Sequence, residues 1–273
     1  MKKLIVVADW AHDSLTNQEF RSALEGFAKK PAEIRVSYVS LTPSTIHASY
    51  VLQQLVQTEE RYGRPMGTVF FQNVDPRIQA KEGVEQAKGA EFIVLRLKSG
   101  IYVCGPNAGY DFSLLKSRIE YVYSYPNLDK GSQFRSRDLY ARVNAHLVDE
   151  MEDELDLEEQ PSNSIPELRG YYVGHIDNYG NIKTTITHSD LKGKIELGEK
   201  IEVTINETRK SVLFVNNLFG GIPGNLVIYP GSSGDPSNPY MEISVWRHFT
   251  EKSPSTGVHV FNMSKPGMEI TLG

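Results

Sequence analysis

Cysteine is nearly absent from this chain of 273 residues: Cys104 stands alone, so no internal disulfide can form and no cysteine-based metal site is available. Basic runs are missing too, and the formal net charge is −5, which leaves no footprint for nucleic-acid phosphates or an anionic membrane surface. No apolar stretch is long enough to cross a bilayer. The start, Met1-Lys2-Lys3 followed by Leu4-Ile5-Val6-Val7-Ala8, has the basic-then-apolar order of a secretion signal. Its apolar stretch is only five residues long and runs straight into Asp9 and Trp10, as a buried first strand does. A cytoplasmic protein is expected. The histidines (His12, His47, His146, His175, His188, His248 and His259) show no pair at helical ligand spacing, so no metal is expected. A glycine-rich phosphate loop and a Gly-x-Ser-x-Gly nucleophile elbow are both lacking.

What is present divides into two patterns. Hydrophobic residues make up 40% and charged residues 23%, the profile of a globular protein, and the length allows two ordinary domains. In the first part, strands are expected at 4–8, 34–41 and 67–74, with helices at 17–29, 47–62 and 139–150. A hairpin about Ser99-Gly100 joins 92–97 to 101–104. Strands alternating with helices imply an α/β domain over 1–150 with a largely parallel sheet. Composition then changes: from Asp149 to Glu159, eight of eleven residues are acidic, and Pro161 and Pro166 follow. Residues 151–168 are therefore expected to form an exposed acidic linker. Short strands and turns fill 169–273, with strands at 171–176, 182–187, 200–205, 210–214, 226–229, 241–246 and 268–272. They predict a small all-β domain, a barrel or a compact sandwich.

Several segments could bear chemistry. Asp9 ends the first strand and Asp75 follows the third, within Val74-Asp75-Pro76. The crevice beyond the carboxyl ends of parallel strands is where open α/β sheets bind ligands, and a carboxylate there can accept two hydrogen bonds from a ribose diol. Asp9 is equally suited to cap the following helix. Gly105-Pro106-Asn107-Ala108-Gly109 is a turn after a strand. In Phe134-Arg135-Ser136-Arg137-Asp138, a helix start and two guanidinium groups could hold an anion, or the charges could pair among themselves. His175-Ile176-Asp177-Asn178-Tyr179-Gly180-Asn181 reads as a hairpin tip.

Taken in order, these segments resemble the S-adenosylmethionine hydroxide adenosyltransferase and halogenase family. Asp9-Trp10 after an apolar strand is similar to that family's Thr-Asp-Phe-Gly. Gly67-Thr68-Val69 with Val74-Asp75-Pro76 is similar to Gly-Thr-Val and Val-Asp-Pro-Gly, and Gly105-Pro106-Asn107-Ala108-Gly109 to Gly-Pro-Asp-Asn-Gly. Phe134-Arg135-Ser136-Arg137-Asp138 is similar to Thr-Phe-His-Gly-Arg-Asp, Ile176-Asp177-Asn178-Tyr179-Gly180-Asn181 to Ile-Asp-x-Phe-Gly-Asn, and Met241-Glu242-Ile243-Ser244-Val245 to Leu-Glu-Ile-Ala-Val. The resemblance implies S-adenosylmethionine as substrate, displacement of methionine from the ribose C5′ by a halide or water, and a homotrimer with the ligand between domains of adjacent subunits. It assigns Asp9 to the ribose, with Trp10 and Asn107 nearby, and Phe134 and Ser136 to the C5′ region. Asp177, Tyr179 and Asn181 fall to the methionine part and Trp246 to the adenine region. Asp75 and Arg135 take the catalytic positions. Departures are equally specific. Arg135 replaces the family's histidine, Asn107-Ala108 replaces Asp-Asn, Trp246 replaces an asparagine, and 77–83 has no counterpart of Thr-x-Arg-Arg. An arginine keeps its proton at any usable pH and cannot replace histidine as general base. The alternative expectation is a catalytically inactive trimeric binding or structural module.

Overall fold

The computed structural model describes residues 2–76, 90–126, 132–247 and 255–273. Two compact units divide between Leu168 and Arg169. The first is built on seven strands: β1 (Lys2–Ala8), β2 (Ile34–Ser40), β3 (Thr68–Asn73), β4 (Phe92–Leu97), β5 (Tyr102–Pro106), β6 (Ile119–Ser124) and β7 (Glu158–Gln160). Their order is β2-β1-β3-β5-β4-β6-β7. The first four positions are mutually parallel, and β4, β6 and β7 add an antiparallel flank. The expected hairpin is thus β4–β5.

Strand β1 shows why the sheet needs helices on both sides. Leu4, Val6 and Ala8 pack with Phe20 and Leu24 of α1 (Ser14–Phe27) and with α3 (Ala141–Val148), whereas Ile5 and Val7 pack with Leu52 and Val56 of α2 (Thr45–Tyr62). A run apolar at every position has no solvent face and is buried on both. Asp13 caps α1, its carboxylate accepting the Leu15 N–H at 3.0 Å, which leaves Asp9 outside the capping role. Glycine is required at Gly105, where φ is +153° and a Cβ atom would lie 1.9 Å from the Gln72 carbonyl oxygen. That close approach lets β5 pair with β3.

Two readings of the first unit change. Residues 151–168 are packed on it rather than forming an exposed linker. Apart from Glu152, which is partly buried and accepts from the Tyr102 hydroxyl, their acidic side chains stay in solvent, but β7 adds an edge to the sheet, and Leu155 and Ile165 are buried in the two cores. The apolar residues spaced among the acids supply the driving force that charge counting overlooks. The helix expected at 139–150 is entered earlier, through a π-helical turn at Ser136–Tyr140, and ends at Val148.

The second unit holds β8 (Tyr171–Ile176), β9 (Ile182–Thr187), β10 (Lys200–Ile205), β11 (Thr208–Phe214), β12 (Leu226–Asp235), β13 (Asn238–Val245) and β14 (Glu269–Leu272). They close in the order β10-β11-β12-β13-β9-β8-β14, so the choice between barrel and sandwich falls to the barrel. Val173, Ile182, Val203, Val212, Ile228, Met241, Ile243 and Ile270 fill its interior. Among the described residues no helix is long and apolar enough to cross a membrane, and no group of three potential ligands could hold a metal.

Candidate functional site

Parallel strands β1, β3 and β5 are neighbours, so the segments leaving their carboxyl ends meet in one place. Asp9 follows β1, Asp75 follows β3, and the 107–111 turn follows β5. Asp9 is half-buried, and its carboxyl is raised above the ordinary range chiefly by desolvation. The backbone N–H groups of Asp9 and Trp10 oppose that shift, and the charge of Asp75 adds to it. Trp10 turns inward onto Phe20, Phe71 and Phe134, with ring centroids 5.7, 6.5 and 5.8 Å away. Its indole Nε1 is buried and meets no acceptor among the described residues.

The π-helical turn brings the 134–136 segment to the same end. Arg135 donates to Asp75 at 3.0 Å (Nη2 to Oδ2), with only 23% and 16% of the two side chains exposed. Asn73, the last residue of β3, donates its side-chain N–H to the Ser136 hydroxyl oxygen, leaving the Ser136 O–H available as a donor. Arg137 takes no part in the crevice pairing: it bonds Asp138 at 2.6 Å and Glu19 at 2.8 Å and lies over the Phe134 ring. Of the two guanidinium groups in the motif, Arg135 alone is paired with Asp75 of the crevice.

Asn107 donates through Nδ2 to the Ser164 carbonyl at 3.1 Å, while its buried Oδ1 has no donor among the described residues. Asp111, which no motif singled out, lies fully buried just beyond it. It accepts from Gln72 Nε2 at 2.9 Å and from the Ala108 N–H at 3.0 Å. Its carboxyl is raised to about 9, chiefly by burial and with the charges of Asp75 and Asp9 adding to the rise, against the opposing Ala108 N–H and Gln72 hydrogen bonds. The only sequence signal was an aspartate wedged between Tyr110 and the core residue Phe112.

In the barrel unit, Asp177 is the centre of its hairpin. It accepts from the N–H groups of Tyr179 and Asn181 at 2.9 and 3.0 Å and from Asn181 Nδ2 at 2.9 Å. Asn181 Oδ1 in turn accepts from the Ser244 hydroxyl at 2.8 Å. Tyr179 projects from this braced tip, 69% exposed. Trp246 follows β13 and packs edge-on against Phe219, which is 68% exposed. His175, at the end of β8, is lowered by burial and by the nearby Lys183. The structure therefore gathers Asp9, Trp10, Asp75, Asn107, Phe134, Arg135 and Ser136 in the first unit, and braces Asp177 and Asn181 together in the second. The 77–83 segment lies outside the described residues.

Residues 171–247 match the family model of the S-adenosylmethionine hydroxide adenosyltransferase C-terminal domain. No curated protein matches the chain. An uncharacterized conserved protein from Thermotoga maritima has a similar structure, with a TM-score of 0.71 at 20% identity, covering 99% of this chain and 100% of that one. A conserved hypothetical protein from Thermus thermophilus gives a TM-score of 0.64 at 18% identity, with 100% of both chains covered. At such identities the likeness is one of fold.

Proposed function

From membership of the S-adenosylmethionine hydroxide adenosyltransferase family, carried by its C-terminal domain at residues 171–247, we propose that this chain binds S-adenosylmethionine or adenosine and directs nucleophilic displacement at the ribose C5′. The observation behind this reading is the placement of Asp9: a half-buried carboxylate at the end of β1, beside an indole whose buried N–H meets no acceptor among the described residues. A vicinal diol can donate two hydrogen bonds to such a carboxylate, and the Trp10–Phe134 pair offers apolar surface to the sugar. Phe134 and Ser136 line the C5′ region in this reading. Asp177, Tyr179, Asn181 and Trp246 belong to the methionine and adenine ends, and the assembly is a homotrimer.

Arg135 decides which nucleophile suits the site. Water must lose a proton as it attacks, and the Asp75 carboxylate that could receive it is held by a guanidinium that cannot itself accept one. An anion has no proton to lose. It brings the electron pair that forms the new C5′ bond, while the C5′–S pair passes to the sulfonium sulfur and methionine leaves as a neutral thioether. The Ser136 hydroxyl and the positive edge of Arg135 would receive such an anion. Mixing the protein with S-adenosylmethionine and separating the products by chromatography tests this. Negligible adenosine release is expected at neutral pH, and Arg135→His should recover little. Robust adenosine release that persists in Asp75→Asn would sink this account of the pocket.

The Arg135–Asp75 ion pair also favours a second reading, an inactive module that retains the fold and has lost the chemistry. Product analysis with S-adenosylmethionine and a halide separates the two, since the inactive binding or structural module releases no methionine.

A further inference from the structure

Asp111 has no part in the reading above, yet it is the most deeply buried acid at this end of the sheet. Its hydrogen-bond partners among the described residues are uncharged: the Gln72 amide at 2.9 Å and the Ala108 N–H at 3.0 Å. The charges that act on it are those of Asp75 and Asp9, both of its own sign, and Asp75 is already taken by Arg135. Among the described residues a carboxylate so placed would be buried without a counter-charge and repelled by two others, whereas a carboxylic acid pays neither penalty. The acid form needs one acceptor. Gln72 is fully buried, and its Oε1 has no donor among the described residues. The two ends of an amide are alike in shape, so the Gln72 amide can present its oxygen to an Asp111 hydroxyl at the same separation.

We propose that Asp111 is a positioning residue of the crevice: as an uncharged carboxylic acid it ties the 107–110 turn to Gln72 of β3 and adds no charge beside the carboxyls of Asp9 and Asp75. Position 107, where a carboxylate was expected from the family pattern, holds an amide. The acid four residues on reaches back to the Ala108 N–H and braces that same turn. Deprotonation near pH 9 puts a third negative charge against β3 and weakens the brace. The ligand-related half of this inference rests on the adenosyl reading, and the protonation half does not.

Carbon-13 spectra of protein labelled in its aspartate carboxyls, at about pH 7, should show Asp111 protonated, with a signal lost in Asp111→Asn. The Asn variant should leave the titration of Asp9 unmoved, because one neutral group replaces another. A drop in the Asp9 titration point would mean that a charge had been removed, and would overturn the proposal. Asp111→Leu should speed hydrogen exchange at the Ala108 amide by about tenfold or more and weaken adenosine binding by about as much, while Asp111→Asn stays within about twofold of wild type. Wild-type exchange at Ala108 in the Leu variant would remove the bracing role. Should the Leu variant not fold, Asp111→Asn still decides the protonation state. If wild type binds no adenosine, the ligand reading fails alone, since Asp9 titration and Ala108 exchange need no ligand.

Discussion

Asp9 and Asp111 are the same residue type at the same end of one sheet, and their surroundings assign them opposite tasks. Asp9 is half-open: burial raises its carboxyl, and two backbone N–H groups offset part of that rise. Under the proposed function, Asp9→Ala should remove two charge-assisted hydrogen bonds to the ribose, worth roughly 1.5–3 kcal/mol each, and weaken adenosine binding by about a hundredfold or more. Isothermal calorimetry reads this directly, and an unchanged affinity would place the sugar elsewhere. Asp111 acts on stability instead. Its carboxyl is raised to about 9 when folded, against an ordinary 3.8. Between those values the folded chain holds a proton that the unfolded chain releases. The contribution is fully present below the lower value and is lost as pH rises through the upper one. Asp111→Asn cannot ionise, so its melting temperature should gain on wild type as pH climbs from about 5 to about 9, then run parallel. Curves parallel throughout would show an ordinary, ionised Asp111. Cys104 adds no chemistry of its own: it is buried against Asn144, and desolvation moves its thiol well above the ordinary range.

Elements place these residues more rigidly than their motifs suggest. The carboxyl end of β3 is clasped to the π-helical turn twice, through Asn73–Ser136 and Asp75–Arg135, so the turn's register sets where Ser136 points. A π turn often marks a site where one extra residue has been accommodated for function. The hairpin between β8 and β9 is clasped from within. Asp177→Ala should remove the acceptor of three hydrogen bonds and cost about 2–3 kcal/mol in a urea titration of the chain. Gly180→Ala should also destabilise, by about 1 kcal/mol or more, because φ is +75° and the new Cβ would lie 2.6 Å from Thr256 Oγ1. Tyr179→Ala at the exposed tip should leave stability within about 0.5 kcal/mol of wild type. A large loss there would mean that Tyr179 is covered in the native assembly.

For the whole molecule, the proposed function requires self-association. Light scattering at micromolar concentration should give the mass of three chains of 30.7 kDa. A strict monomer would count against the homotrimer and leave Tyr179, Phe219 and Ile222 as unexplained apolar surface on the barrel unit. The two units differ in how they are built, and this bears on how each tolerates change. The first depends on helices covering both faces of a mainly parallel core. The second is a closed barrel whose strands satisfy one another around the ring.

Local pattern determined much of this. Apolar runs with glycine, proline and asparagine punctuation placed most strands within a few residues, because side-chain periodicity and turn chemistry are properties of neighbours in sequence. Strands at 171–176, 182–187 and 200–205 agree residue for residue with β8, β9 and β10. The resemblance placed Asp75 and Arg135 together in the catalytic positions, and the structure pairs them. Strand β6 was overlooked although its Tyr- and Val-bearing run ends at the turn signal Pro126-Asn127, whereas β7 is hidden in an acidic run. Only the fold could show that residues 151–168 pack on the first unit, because burial of Leu155 and Ile165 depends on partners far away in sequence. Asp111 is the clearest case. Its type and neighbours mark it as an ordinary turn aspartate, and its protonation is decided by desolvation and by two carboxylates that other strands deliver to the same crevice.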